Sequence, residues 1–270
     1  MASPDNTIHV RNLVHREQWQ VLQGHSAKPN DVHFSSDGNM VVSCSDFIVR
    51  LWNVRSGVIV RMFQGHYFNI LGCQISQDGN TIVSASYDGI RLWDTTSGEE
   101  TNRLTYSGIT RFVQFSPNGQ LFVAFSKQRV QIWDTHSYKI VHQFPEYAEN
   151  IEGRFSPDCC NIAFSSKNNV IKIYNLKSRN DVIVLQGHSG YITDLKFSSD
   201  SRTIVSCSKD KTVRLWDAEL GVEIQRLEGH SSAVLSVHIS QDGHNIVSLS
   251  DDGIIHLWES IAKSSKKLHR

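Results

Sequence analysis

Residues 187–217 read GHSGYITDLKFSSDSRTIVSCSKDKTVRLWD and contain three short runs rich in β-branched and aromatic residues. The runs are Tyr191–Phe197, Thr203–Ser208 and Thr212–Trp216, and a fourth run, Val222–Leu227, follows soon after. Turn-forming residues separate the runs, and apolar and polar residues alternate within three of them, which is typical of half-buried β-strands. This stretch therefore predicts a unit of four antiparallel strands.

The same layout recurs along the chain. An aromatic residue followed by Asp, Asn or Glu returns at intervals of 41, 40, 41, 42 and 42 residues, at Trp52, Trp93, Trp133, Tyr174, Trp216 and Trp258. Gly-His pairs precede four of these residues, at Gly24-His25, Gly65-His66, Gly187-His188 and Gly229-His230. Asx-Gly pairs, which favour tight turns, stand between the first two strands at Asp37-Gly38, Asp78-Gly79, Asn118-Gly119 and Asp242-Gly243. Six units of this kind are the pattern of β-propeller blades.

Composition sets the class of partner that we expect. The 270 residues include 27 Lys and Arg and 27 Asp and Glu, so no net charge favours nucleic acid or a membrane surface. The 13 histidines do not show metal-ligand spacing, and we expect no metal and no cofactor.

Cysteine usage and the first residues bear on location. The five cysteines, an odd number without metal-ligand spacing, predict free thiols in a reducing compartment; they are Cys44, Cys73, Cys159, Cys160 and Cys207. The first 20 residues are charged and hold no apolar run, so we expect no secretory signal peptide. We therefore expect a cytoplasmic location, with the nucleus as the alternative.

From its Gly-His pair to its Trp-Asp pair, the stretch 187–217 resembles a WD repeat, and the likeness extends over residues 24–259. The chain is accordingly identified as similar to the WD-repeat family, which implies an all-β propeller that binds other proteins. Two repeats depart from the pattern. Tyr106 and Glu146 stand at the histidine position of repeats three and four, and repeat four also has Asn168 and Tyr174 in place of Asp and Trp. We expect these two blades to be less rigidly held.

Recurring Ser, His and Asp residues could suggest a nucleophilic triad, but a catalytic set would occur once and not four times. The resemblance implies instead a buried hydrogen-bond chain of His, Ser, Asp and Trp in each complete repeat, and no catalytic residue. The implied tetrads are His25, Ser43, Asp46 and Trp52; His66, Ser84, Asp88 and Trp93; His188, Ser206, Asp210 and Trp216; and His230, Ser248, Asp252 and Trp258. The turns that carry Asp46 and Asp88 are one residue shorter than the turn that carries Asp210.

The two ends of the chain raise the question of closure. Residues 6–25 align without a gap to residues 211–230, so they predict the third and fourth strands of an incomplete repeat. We expect the strand around Trp19 to Leu22 to pair with the sheet of residues 231–258 and to close a ring of six four-stranded blades. The alternative is an incomplete ring of seven blades. The corresponding domains are a partial repeat at 1–14, the propeller at 15–259 and a basic tail at 260–270.

The resemblance also implies a docking face at one end of the blades. Carried over position by position, its residues are Lys28, Asn30, Asn69, Leu71, Tyr87, Ile109, Arg111, Glu149, Ile151, Tyr191, Thr193, Lys209, Ala233, Leu235 and Asp251. This mixture of aromatic, aliphatic and charged residues suits a protein or peptide contact. We therefore expect a non-catalytic interaction scaffold, a monomeric module within a complex. The alternative is the sensor propeller of a larger signalling protein.

Overall fold

The structure, a computed structural model, describes residues 5–11, 18–104, 110–126, 129–145, 152–178 and 182–260. These residues fall into two compact units, Met1–Pro145 and Glu146–Arg270. Apart from a short 3-10 turn at Lys167–Asn169, the regular elements described are β-strands. None of the described residues forms a helix that is long and apolar enough to cross a membrane.

The first unit contains fourteen described strands in four antiparallel sheets. Its two-stranded sheet consists of β1 (Ile8–Arg11) and β2 (Gln18–Leu22). Three four-stranded sheets follow: β3 (Asp31–Phe34), β4 (Met40–Ser45), β5 (Ile48–Asn53) and β6 (Ile59–Gln64); β7 (Ile70–Ile75), β8 (Thr81–Ser86), β9 (Gly89–Asp94) and β10 (Glu100–Leu104); and β11 (Thr110–Phe115), β12 (Leu121–Ser126), β13 (Arg129–Asp134) and β14 (Ile140–Pro145).

The second unit contains eleven described strands in three antiparallel sheets. They are β15 (Gly153–Phe155), β16 (Asn161–Ser165), β17 (Ile171–Asn175) and β18 (Val182–Leu185); β19 (Ile192–Phe197), β20 (Thr203–Ser208), β21 (Val213–Asp217) and β22 (Glu223–Leu227); and β23 (Val234–Ile239), β24 (Asn245–Ser250) and β25 (Ile255–Glu259). Strands that are neighbours in the sequence are neighbours in every sheet. We refer to the four strands of a repeat as a to d, in chain order.

These sheets confirm the all-β propeller class. The turn between strands a and b also has the predicted geometry, since Gly38, Gly79, Gly119 and Gly243 have φ between +70° and +77°. In two repeats Cys159 and Ser201 occupy the same left-handed position, with φ of +58° and +61°. In each of these turns a serine hydroxyl bonds the Asp or Asn two residues later, as from Ser198 to Asp200 at 2.7 Å. The turn side chains therefore hold a backbone that glycine adopts most readily.

The predicted closure of the last blade is wrong. Strand β2 pairs with β1, with Ile8 opposite Leu22, and the described part of the last sheet has only three strands, β23 to β25. The reason lies in the apolar side of the β1–β2 sheet, where Ile8, Val10 and Leu22 pack with Val41 and Trp52 of the next sheet. Residues 6–22 thus contribute strands c and d, as their alignment predicts, but within a sheet of their own.

The described residues form seven sheets, five of them with four strands, and this number agrees better with the seven-blade alternative than with six complete blades. The boundary proposed between residues 14 and 15 separates β1 from β2, which belong to one sheet. Nearly all of the proposed basic tail, residues 261–270, lies outside the described residues.

Successive sheets within a unit are joined through apolar side chains. In the second unit, Val205 of strand b and Leu215 of strand c pack against Val234, Val237 and Ile246 of the following sheet. Burial of aliphatic side chains of this size contributes about 1.5–3 kcal/mol each. The polar side chains that lie within such a core therefore need hydrogen-bond partners.

Candidate functional site

The β19–β22 sheet contains a complete chain of the four expected side chains. The indole Nε1–H of Trp216 donates to Ser206 Oγ at 2.8 Å, and His188 Nε2 lies 2.8 Å from the same hydroxyl. His188 Nδ1 lies 2.8 Å from Asp210. The indole only donates, so the serine hydroxyl accepts from Trp216. The Asp210 carboxylate only accepts, so His188 donates to it from Nδ1, and Nε2 is left to accept from the Ser206 hydroxyl. Ser206 is fully buried.

The β7–β10 sheet repeats this arrangement. Ser84 Oγ lies 2.7 Å from His66 Nε2 and accepts from Trp93 Nε1 at 2.8 Å, while His66 Nδ1 lies 2.5 Å from Asp88. Arg91 adds a contact of 3.1 Å to Asp88. Burial alone would raise the pKa of Asp88, but the hydrogen bonds from His66 and the Tyr67 N–H outweigh it and lower the pKa to about 2. Burial lowers the pKa of His66, so a neutral imidazole faces an ionised carboxylate.

In repeat one, Asp46 is not part of the hydrogen-bond chain. His25 Nε2 and the Trp52 indole both contact Ser43, each at 2.7 Å, but His25 Nδ1 lies 2.6 Å from Ser45 and 2.9 Å from Arg50 Nη1. The expected link fails because Asp46 follows the last serine of strand b directly, one position earlier than in repeat two. Asp46 adopts φ of +51° and accepts from Ser26 Oγ at 2.7 Å instead.

In repeat six, Asp252 likewise does not reach the histidine. It accepts from Ser231 at 2.6 Å and from Ser250 at 2.5 Å. His230 Nε2 contacts Ser248 at 2.7 Å, but His230 Nδ1 has no hydrogen-bond partner among the described residues. On the neighbouring strand c, His256 stands where repeats one, two and five have arginine, and its ring stacks on His230 with ring centroids 4.2 Å apart. Burial, followed by the charge of His256, lowers the pKa of His230.

Repeats three and four lack the serine whose hydroxyl contacts both the indole and the histidine. The sequence analysis overlooked this difference. Ala124 stands at the position of Ser84, and the buried Nε1–H of Trp133 has no acceptor in the part of the chain that is described. In repeat four Phe164 takes the serine position and stacks on Tyr174, with ring centroids 5.2 Å apart and nearly parallel planes. Tyr106 and Glu146, at the histidine positions, lie outside the described residues. Repeat four therefore replaces the polar chain by an aromatic pair.

In the first unit, the described side chains proposed for the docking face are half-buried or exposed. Lys28, Asn30, Asn69 and Tyr87 are exposed and Leu71 is half-buried. Ile109 and the side chain of Arg111 lie outside the described part.

Next to these residues are two exposed aromatic residues that the sequence analysis missed, Tyr67 and Phe68. The rings of Phe68 and Tyr87 lie 6.4 Å apart, and the guanidinium groups of Arg91 and Arg103 lie 5.6 and 5.7 Å from the Tyr67 ring. Their position directly after Gly65-His66 was the available signal. We call Tyr67, Phe68 and Tyr87 the aromatic patch.

In the second unit the proposed residues form a more polar surface. Tyr191, Lys209, Leu235 and Asp251 are exposed, and Thr193 and Ala233 are half-buried; Glu149 and Ile151 lie outside the described residues. Lys209 Nζ lies 5.8 Å from the centre of the Tyr191 ring, and the Lys209 N–H donates to the Tyr191 carbonyl at 2.9 Å. Thr193 Oγ1 donates to the Val234 carbonyl of the next sheet at 2.5 Å, so this residue contributes to the contact between sheets.

Groups of three or more His, Cys, Asp or Glu side chains arranged to hold a metal ion were not found among the described residues. Cys44, Cys73 and Cys207 are buried free thiols, while Cys159 and Cys160 are half-buried in a turn. Burial raises the pKa of Cys207 to about 12. The three buried thiols therefore act as small apolar side chains.

A family model described as the IFT122 first β-propeller matches residues 28–270. The chain belongs to this family. Membership in the IFT122 first β-propeller family agrees with the WD-repeat-like blades described above. A search of curated proteins found no match.

Supplying the missing hydroxyl in repeat three should stabilise the protein. We expect Ala124→Ser to raise the free energy of unfolding by about 0.5–1.5 kcal/mol, because the new Oγ can accept from the unsatisfied Trp133 indole. Urea unfolding measures this change. The control is Ala163→Ser, another fully buried alanine of strand b, which packs in a cluster with Trp216, whose indole N–H already donates to Ser206; this substitution should destabilise the protein. Equal effects of the two substitutions would contradict this explanation.

His25 should make stability depend on pH. Its pKa is lowered to about 4, first by burial and then by Arg50, whereas an unfolded histidine titrates near 6.5. The unfolded chain therefore takes up a proton below pH 6.5 that the folded chain does not accept until about pH 4. The contribution of His25 is complete above pH 6.5 and is lost as the pH falls towards 4.

Between pH 7.5 and 5 we expect this group to remove about 2 kcal/mol of stability. Urea unfolding at both pH values should show a smaller pH dependence in His25→Gln than in the wild type. If the two proteins lost equal stability, the assignment of this pH dependence to His25 would be wrong.

Proposed function

We propose that the chain is a non-catalytic scaffold that binds partner proteins or peptides through the exposed ends of its sheets. The observation that carries this proposal is the aromatic patch of the first unit. Membership in a propeller family of scaffold type supports it. We infer a cytoplasmic location, with the nucleus as the alternative, from the free thiols.

The aromatic patch has the chemistry of a binding hot spot. Tyrosine and arginine dominate the energetics of protein interfaces because they combine a large contact area with hydrogen bonding. Here the guanidinium groups of Arg91 and Arg103 lie 5.6 and 5.7 Å from the centre of the Tyr67 ring, and Phe68 lies beside Tyr87. A partner that covers these rings would bury apolar surface next to charged groups that are already in place.

The buried chain of the β7–β10 sheet holds this patch in position. Asp88 contacts His66 and Arg91 and also accepts from the Tyr67 N–H at 3.1 Å. Arg91 in turn forms an ion pair with Glu100. Because these bonds exist before a partner arrives, less conformational freedom is lost on binding. The tetrad thus serves the proposed docking surface by fixing its backbone.

The same burial argues against catalysis by the recurring Ser, His and Asp. A nucleophilic serine must be accessible and must be free to lose its proton to the histidine. Ser84 and Ser206 are both fully buried, and each also accepts from a tryptophan indole. This geometry supports a structural role for both serines.

Removal of two of the three rings of the aromatic patch should weaken partner binding without unfolding the protein. We expect Phe68→Ala/Tyr87→Ala to lower partner recovery at least tenfold, which corresponds to about 1.4 kcal/mol of lost binding energy. The measurement is affinity capture from native lysate with quantitative mass spectrometry, together with the melting temperature of each variant.

The matched control is Phe34→Ala, an equally exposed aromatic residue on β3 outside the aromatic patch. It should leave recovery unchanged. Full recovery by the folded double variant, or equal losses in the control, would contradict the proposed docking surface.

A further inference from the structure

The two arginines near the Tyr67 ring of the aromatic patch differ in how far they are already paired. Arg91 donates to Asp88 at 3.1 Å and to Glu100. For Arg103, whose side chain is 41% exposed, the nearest carboxylate among the described residues is Asp88, at 3.8 Å. This distance is too long for a hydrogen bond. The guanidinium of Arg103 therefore has donors left for a partner.

Repeat five shows the same strand position with its arginine already paired. Arg226 is the equivalent of Arg103, since each stands directly before the buried leucine near the end of strand d. The Nε–H of Arg226 donates to Glu223 at 3.3 Å, and its Nη1 lies 3.6 Å from Glu228. Repeat two has Thr105 at the position of Glu228. One acidic partner of the arginine is thus missing from repeat two.

The exposed rings also belong to repeat two and not to repeat five. Ser189 and Gly190 stand in repeat five where repeat two has Tyr67 and Phe68, and a lysine stands there in place of Tyr87. Both sheets contain the complete buried His–Ser–Asp–Trp chain, so that chain requires neither the rings nor an arginine without a close partner. These two features occur together on one surface, where they suit a ligand with an anionic group and an apolar group.

The charges around Arg103 favour a carboxylate over a phosphate. Arg91 and Arg103 contribute two positive charges. Asp88 and Glu100 contribute two negative charges, so the sum over the four side chains is zero. A phosphate, with a charge of about −1.5 to −2, would be repelled by Asp88 more strongly than a carboxylate with a single charge. The site therefore fits an aspartate or glutamate side chain.

We propose that the aromatic patch binds an acidic linear peptide of a partner protein, with an Asp or Glu carboxylate on Arg103 and a nearby apolar side chain on the rings of Phe68 and Tyr87. Tyr67 lies near Arg103 and precedes Phe68 in the chain, so the two anchor points are close. At about 3.3 Å per extended residue, roughly one to four residues separate the two anchors of the peptide. The proposal rests on the proposed function and adds the chemistry of the partner.

The first experiment selects peptides from a random-sequence phage library on the full chain. The selected peptides should be enriched in Asp or Glu within about four residues of an apolar side chain. The best of them is synthesised with a fluorescent label, and its affinity is measured by fluorescence anisotropy. Replacing its acidic residue by the neutral amide should weaken binding at least tenfold, because a charge-assisted bond is lost.

Three outcomes of this selection would overturn the proposal. They are a library that yields no binding peptide, a selected set without enrichment in acidic residues, and tighter binding when the acidic residue is replaced by phosphoserine.

Variants of the chain test whether Arg103 makes the contact. Arg103→Gln should bind the acidic peptide at least tenfold more weakly, and it should bind the amide version of the peptide as the wild type does. Arg103→Glu should reverse the preference, so that a peptide with arginine at the acidic position binds better than the original. The matched control Arg226→Gln, at the same strand position of repeat five, should leave binding unchanged. Equal affinity of the wild type and Arg103→Gln for the acidic peptide would overturn the proposal.

The ring variant separates this proposal from the proposed function. If the selected peptide is lost in Phe68→Ala/Tyr87→Ala but binds Arg103→Gln with full affinity, the patch docks a partner and the acidic chemistry is wrong. A peptide that binds both folded variants as it binds the wild type would contradict the docking surface itself as well.

Discussion

Much of this structure depends on a contact that recurs in four repeats, in which a buried serine hydroxyl is shared between a tryptophan indole and a histidine ring. The indole can only donate and needs an acceptor inside an apolar core, and the serine supplies it while donating to the histidine. This contact ties strands b and c to the segment that enters strand a. Where an aspartate completes the chain, as at His66 and Asp88, the bond network extends to the backbone that carries exposed aromatic residues. In the β7–β10 sheet, the buried hydrogen-bond chain therefore also holds the backbone of the proposed binding surface.

Variation among the repeats shows which parts of the network are essential. The His–Ser–Trp contacts are present in four repeats, whereas the His–Asp contact occurs only in two of them among the described residues. Arg50 and Ser45 take the place of the aspartate in repeat one, and a stacked His256 does so in repeat six. The serine is therefore the common element, whereas the side chains next to the histidine ring differ from one repeat to the next. Repeat four goes further and replaces the network by stacked aromatic rings.

The sequence was sufficient to predict the strands, the turns and the 18-residue separation of each paired histidine and serine, because two-residue strand periodicity and Asx-Gly turns are local signals. It was insufficient where one residue changes the position of a side chain. Asp46 stands one place too early in its turn, which motif spacing alone did not resolve. The pairing of β2 was also mispredicted, since the aliphatic residues Ile8 and Val10 act through long-range packing on the next sheet. Exposure of Leu257 is invisible in the sequence, where it matches the buried Leu215.

The most direct test of the shared-hydroxyl account is a double-mutant cycle between Ser206→Ala and Trp216→Phe, measured by urea unfolding. Ser206→Ala alone leaves a buried indole N–H unsatisfied and should cost about 1–3 kcal/mol. With the N–H removed as well, part of that cost disappears, so the two changes should show a coupling of about 1 kcal/mol. Strictly additive effects, or a Ser206→Ala protein of unchanged stability that has lost a measurable turnover, would contradict the claim that this serine is structural.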